Sequence, residues 1–169
     1  MLTPSTSLVH RFSGHQGAYF KGMLVFAFTR SGDKSAQDFA LQSGVCWAGD
    51  STAESPITLD AVLTFAPVGA LVVQALKSVR KGRVVVCGGI HMCDIPSFPY
   101  SLLWEERVIR SGANLTRRYE DEFLSIVAQI PVLTEYNMFP LEFLDTAIHL
   151  LRKGELNGTA VIDVISTNG

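Results

Sequence analysis

The chain has 169 residues, of which 47% are hydrophobic and 18% charged, with a formal net charge of -2. This balance excludes an intrinsically disordered chain and leaves no broad basic face for nucleic acid. No apolar run approaches the ~20 residues that a bilayer-spanning helix needs. The length suits one domain with a real core.

Residues 1–21 are rich in Ser, Thr, Gly and His, show no periodicity, and read as an irregular segment. They contain no apolar core of the secretory type. The three cysteines, Cys46, Cys87 and Cys93, have no paired spacing. They read as thiols kept reduced, Cys46 and Cys87 as buried hydrophobes, and the expected setting is the cytoplasm. Met23–Phe28 reads as a strand, and Ser31-Gly32-Asp33 as a turn in which Asp33 caps a helix running to Leu41. Gly44 closes that helix, and Val45–Ala48 is a short strand before a polar loop.

Leu59–Phe65 is the next strand, and Val68–Val79 a helix with Lys77, Arg80 and Lys81 near its end, where the dipole favours cations. Gly82 is expected to terminate it, ahead of the strand Arg83–Cys87. That strand is an uninterrupted apolar run stopped by Gly88 and Gly89, the pattern of a strand buried on both faces whose following turn lets backbone approach something closely. After it come a proline-punctuated loop at residues 94–99, at most a short helix at 101–106, and a strand at 107–113. An amphipathic helix follows at 118–129, then an extended piece at 135–139. A helix at 141–153 and a strand at 159–165 close the chain. Strand, glycine turn, helix, strand is the grammar of an open parallel α/β sheet, which binds ligands beyond the carboxyl ends of its strands.

The segments VFAFTRSGD, LDAVLTFAPVGALVVQAL, KGRVVVCGGIHMCDIPSFPYSLLWEER, RSGANLTRR and LLRKGELNGTAV together carry a likeness. In this order and spacing, from Gly22 to Asp163, the chain resembles the C-terminal, cofactor-domain half of zinc-type alcohol dehydrogenases of the medium-chain dehydrogenase/reductase family. The resemblance implies an incomplete Rossmann-like, doubly wound parallel sheet. Its divisions are an irregular segment at 1–21, a partial dinucleotide-binding domain at 22–140, and a helix and strand at 141–169 from the catalytic-domain side, left with nothing to return to. It also implies that the first strand, the GxGxxG phosphate turn and the zinc-bearing domain are missing. Without the first strand, its neighbours would carry unpaired backbone groups. The expected product is a fragment, truncated or mis-bounded, and inactive alone in the family's hydride transfer between alcohol and NAD(P). The alternative is a non-catalytic dinucleotide-binding or interaction module that pairs with a full-length relative through the strand at 107–113; a homo-oligomer is the other expected assembly.

The resemblance also marks cofactor-contact positions. Thr29 and Arg30 stand where an acidic residue would take the ribose hydroxyls of NAD. An Arg there, without a carboxylate, favours NADP over NAD, since the planar guanidinium suits phosphate oxygens. Phe65, Ala66, Pro67 and Val68 would line the adenosine side, or form an ordinary strand-to-helix turn. Gly88, Gly89, Ile90, His91 and Met92 would face the nicotinamide, with His91 a hydrogen-bonding residue and not a catalyst. Asn114, Leu115 and Thr116 would lie near the nicotinamide amide. Arg118 and Glu122 are spaced for a helical ion pair. No catalytic residue and no metal ligand is assigned. Zinc is expected of full-length relatives, but none of the three cysteines falls in a ligand segment.

Overall fold

The computed structural model describes residues 6–8, 22–89, 91–112, 116–129, 136–153, 155–156 and 158–164. The chain divides into two compact units, Met1–Ile130 and Pro131–Gly169.

The first unit is built on a six-stranded sheet of β1 (Thr6–Leu8), β2 (Leu24–Thr29), β3 (Trp47–Asp50), β4 (Leu59–Thr64), β5 (Val79–Cys87) and β6 (Val108–Ser111). The spatial order is β3-β2-β1-β4-β5-β6, and every neighbouring pair is parallel. This is the order of a doubly wound α/β sheet, in which the chain builds outward on one side of β1 and then crosses over to build on the other. The helices are α1 (Lys34–Gln42), α2 (Gly69–Ser78) and α3 (Arg117–Val127), with a 3-10 turn at Tyr100–Leu102.

Alternation along β2 feeds two separate cores. Phe26 and Phe28 face one layer, with Val62, Val85 and the α2 residues Val72, Ala75 and Leu76. Val25 and Ala27 face the other, with Val45, Leu63 and the α1 residue Ala40. Both faces of the sheet are thus covered, as the uninterrupted apolar strands require. Trp47 lies across the first core, its ring centroid 4.9 Å from that of Phe28.

Several sequence expectations change. The segment expected to be irregular contains β1, and the first strand expected to be missing is in place. It pairs with β2 through Thr6↔Leu24, Ser7↔Val25 and Leu8↔Phe26, and with β4 through Ser7↔Ala61 and Leu8↔Val62. Its neighbours are therefore not left with unpaired edges along this stretch. The turn that follows it, where the phosphate loop was expected and not found, lies outside the described residues. Gly82 does not end a helix: α2 stops at Ser78, Val79 goes directly extended, and Gly82 sits inside β5 at φ 67. There the register slips from Leu59↔Val79 to Ala61↔Val84, and the extra residues bulge out at a glycine free to take a left-handed φ. Arg80 and Arg83 reach Asp60 across this bulge at 2.7 and 3.3 Å. Cys46 is exposed, because β3 starts at Trp47 and leaves it in the preceding bend; Cys87 is buried as expected, and burial pushes its thiol pKa up.

The second unit holds β7 (Tyr136–Pro140), a 3-10 turn at Leu141–Phe143, α4 (Leu144–Lys153) and β8 (Thr159–Asp163). β7 and β8 pair in parallel from Tyr136↔Thr159 to Pro140↔Asp163, so this is a β-α-β unit. The extended piece placed by sequence at the end of the cofactor domain thus belongs with the helix and strand after it, and these do have a strand to join.

Candidate functional site

Parallel pairing puts the carboxyl ends of the strands along one edge of the sheet. Thr29 is level with Asp50, Thr64 with Cys87, and Cys87 with Ser111. The strand order reverses between β1 and β4, the point at which doubly wound sheets bind ligands beyond their carboxyl ends. The turns that follow these strands hold the described candidate residues.

After β2, Thr29 is buried and its hydroxyl accepts from Gln37 Nε2 at 3.2 Å. Arg30 is exposed, and its guanidinium has no hydrogen-bond or ion-pair partner among the described residues. Asp33 caps α1 as expected, accepting from the Ala36 N–H at 3.0 Å. Lys34, in the first turn of α1, is exposed and donates to Gln37 Oε1 at 3.2 Å.

Sequence reasoning missed Asp50 at the end of β3. Its carboxylate accepts from Ser31 Oγ at 3.0 Å, the Gly32 N–H at 3.1 Å and Gln37 Nε2 at 2.8 Å. These donors, led by the Gly32 N–H and then the Ser31 hydroxyl, hold its pKa below the ordinary 3.8. A carboxyl depressed in the folded state contributes stability above its unfolded value and loses it as pH falls through the folded value. The stability gap between the wild-type chain and Asp50→Asn is therefore expected to narrow as pH drops below 3.8, as measured by urea unfolding at a series of pH values.

After β4, Phe65, Pro67 and Val68 are exposed and Ala66 is half-buried. Val68 precedes α2 without a side-chain cap, and the Gly69 N–H donates instead to Cys93 Sγ at 3.2 Å. The Cys93 N–H donates back to the Pro67 carbonyl at 3.4 Å, which fastens the loop after β5 to the turn after β4. After β5, the Gly88 N–H continues the ladder to the Thr64 carbonyl at 2.8 Å. A Cβ on Gly88 would stand 2.6 Å from the Phe65 ring, so what glycine admits here is that ring. His91 is exposed, and Met92 is half-buried against the first core. Ile90, Asn114 and Leu115 lie outside the described residues. Thr116 caps α3, accepting from the Tyr119 N–H at 3.3 Å, and Arg118 pairs with Glu122 at 2.8 Å as expected.

The arrangement brings Thr29–Arg30, Phe65–Val68 and Gly88–Gly89 to one edge. A dinucleotide fits it in one respect: a guanidinium without a partner among the described residues stands at the end of β2, and Asp50, at the end of the neighbouring β3, is already engaged. Zinc does not fit the described residues. Among them no three His, Cys, Asp or Glu side chains gather as a donor set, and Cys93 is taken up by α2 while Cys87 is buried in the core.

No family model matches the chain. Over 148 residues it is 36% identical to the "Probable alcohol dehydrogenase AdhA" of Mycobacterium tuberculosis, a match covering 87% of this chain and 42% of that protein. A cinnamyl alcohol dehydrogenase from Sorghum bicolor superposes with a TM-score of 0.81 at 17% identity, covering 98% of this chain and 49% of the other. A Helicobacter pylori CAD complexed with NADP(H) superposes with a TM-score of 0.72 at 19% identity, covering 95% and 48%. The chain is therefore similar over most of its length to an alcohol dehydrogenase in sequence and to solved alcohol dehydrogenases in fold, and it spans about half the length of the relatives it matches.

Proposed function

We propose that the chain is the NADP(H)-binding half of an alcohol dehydrogenase-type oxidoreductase. The observation that carries this reading is the exposed Arg30, without a side-chain partner among the described residues, at the carboxyl end of β2 in a sheet of order β3-β2-β1-β4-β5-β6. The solved H. pylori relative in complex with NADP(H) supports it. When bound, the cofactor supplies or accepts the hydride exchanged with an alcohol carbon. In this reading Arg30 takes the adenosine 2′-phosphate, with Lys34, the first residue of α1, adding positive charge. Thr29 holds the turn from below. Phe65, Ala66, Pro67 and Val68 line the adenosine side. Gly88, Gly89, Ile90, His91 and Met92 face the nicotinamide, and Asn114, Leu115 and Thr116 lie close to its amide. Asp50, engaged by three donors, is in this reading not the acceptor for the ribose hydroxyls.

Spanning less than half of its M. tuberculosis relative, the 169-residue chain alone is proposed to hold cofactor without turning over alcohol. The cytoplasm is the proposed setting, supported by three cysteines without a disulfide. Titration of NADPH and NADH into the purified chain, followed by nicotinamide fluorescence, tests the reading. Saturable binding with NADPH tighter than NADH is expected, and equal affinity or no binding refutes it.

A second reading is a non-catalytic module that pairs with a further copy or a full-length relative. It is favoured by β6, which among the described residues pairs with β5 on one side and whose Val108 is 50% exposed. Light scattering decides between them: a concentration-dependent dimer without cofactor affinity favours the module.

A further inference from the structure

The turn after β2 is fastened at nearly every residue except the side chain it presents. Thr29 and Lys34 are tied to opposite ends of the Gln37 amide, and Gln37 is only 5% exposed. Ser31 and the Gly32 N–H are tied to Asp50, and Gln37 donates to the same carboxylate. The Arg30 carbonyl accepts from the Asp33 N–H at 3.1 Å and lies 3.3 Å from the Thr29 hydroxyl, which donates to it. Arg30 is thus held through its backbone while its guanidinium is left exposed. Asp50 is the node, since one carboxylate from β3 accepts from two residues of the turn and from the glutamine beneath it.

We propose that Asp50 is a positioning residue for cofactor discrimination: it fixes the 30–34 turn so that Arg30 meets the adenosine 2′-phosphate already ordered. This rests on the NADP(H) reading above. A turn that is ordered before binding has less freedom to lose when the phosphate arrives. The sign of the effect separates this role from simple electrostatics. A carboxylate acting only as a nearby negative charge would repel the phosphate, and its removal would tighten NADPH. A carboxylate acting through the turn does the reverse.

The test is to measure NADPH and NADH dissociation constants for the full chain and for Asp50→Ala, Asp50→Asn and Ser31→Ala. Asp50→Ala is expected to weaken NADPH about tenfold while NADH, which has no 2′-phosphate, stays within about twofold. Asp50→Asn keeps an acceptor oxygen for Gly32 and Gln37, and is expected to stay within about threefold of wild type for NADPH. Ser31→Ala, at an exposed position and removing one of the three bonds, supplies a smaller loss confined to NADPH should Asp50→Ala fail to fold. NADPH binding that is unchanged or tighter in Asp50→Ala overturns the proposal. So does an equal loss of both cofactors, which would mark general damage to the sheet edge. A wild-type chain that does not distinguish the cofactors removes the NADP(H) reading itself. A wild-type chain that does, alongside variants that still do, removes only the role of Asp50.

Discussion

Replacing Arg30 by alanine is expected to weaken NADPH by about thirtyfold and to leave NADH within about twofold. A hydrogen bond to a charged group contributes about 1.5–3 kcal/mol, and each 1.4 kcal/mol is about tenfold in affinity. The guanidinium has no competing partner among the described residues, so the phosphate does not have to displace one. Arg30→Lys is expected to recover only part of the loss, because an ammonium is a point charge where the guanidinium is a fork. Isothermal titration of both cofactors into each variant reads the effect directly. An equal fall for NADH would mean that Arg30 acts on the fold or on the shared part of the dinucleotide, and not on the 2′-phosphate.

The second large effect is on stability. Leu76, 1% exposed on α2, packs with Val72, Ala75, Val79 and the strand residues Val62 and Val85 in the larger core. Leu76→Ala is expected to cost about 2–5 kcal/mol, the transfer of the lost methyl and methylene groups plus the cavity they leave. Alanine is the best helix former, so none of this loss comes from backbone preference. Against a total stability of about 5–15 kcal/mol, this brings the domain near its limit. A fall in Tm of about 10 °C is expected for a chain of this size. Leu41→Ala on α1, where the leucine is 46% exposed, is the matched control and is expected to change stability by no more than about 0.5 kcal/mol. If both variants melt together with wild type, the core described around α2 is not what holds the unit.

The parts of the fold that can be read from sequence are those with a local cause. β2, β4 and the end of β5 are apolar runs buried on two faces, and Asp33 sits where a cap must sit. β1 has no such signature. It is three residues long, two of them hydroxylic, and it is a strand because β2 and β4 offer ladders on both sides. Gly82 misleads because a glycine after basic residues is the usual end of a helix, whereas here it serves a register slip set by the pairing with Leu59. The strand-end positions of Arg30, Phe65 and Gly88 follow from the glycine- and proline-ended runs. Asp50 does not: its partners Ser31, Gly32 and Gln37 lie many residues upstream, and only the parallel register of β2 and β3 brings them to one carboxylate.

The brevity of β1 has a mechanical meaning. Among the described residues, the halves β3-β2 and β4-β5-β6 are stitched through β1, with three aligned positions on one flank and two on the other. Opening the sheet at its middle would part the bonds at these positions, and proteins open locally in such contiguous units. Arg30 rides on one half and Gly88 on the other, so a molecule gripping both turns would act as a clasp. Its grip would surface as slower amide exchange at the centre of the sheet, well away from the atoms it touches.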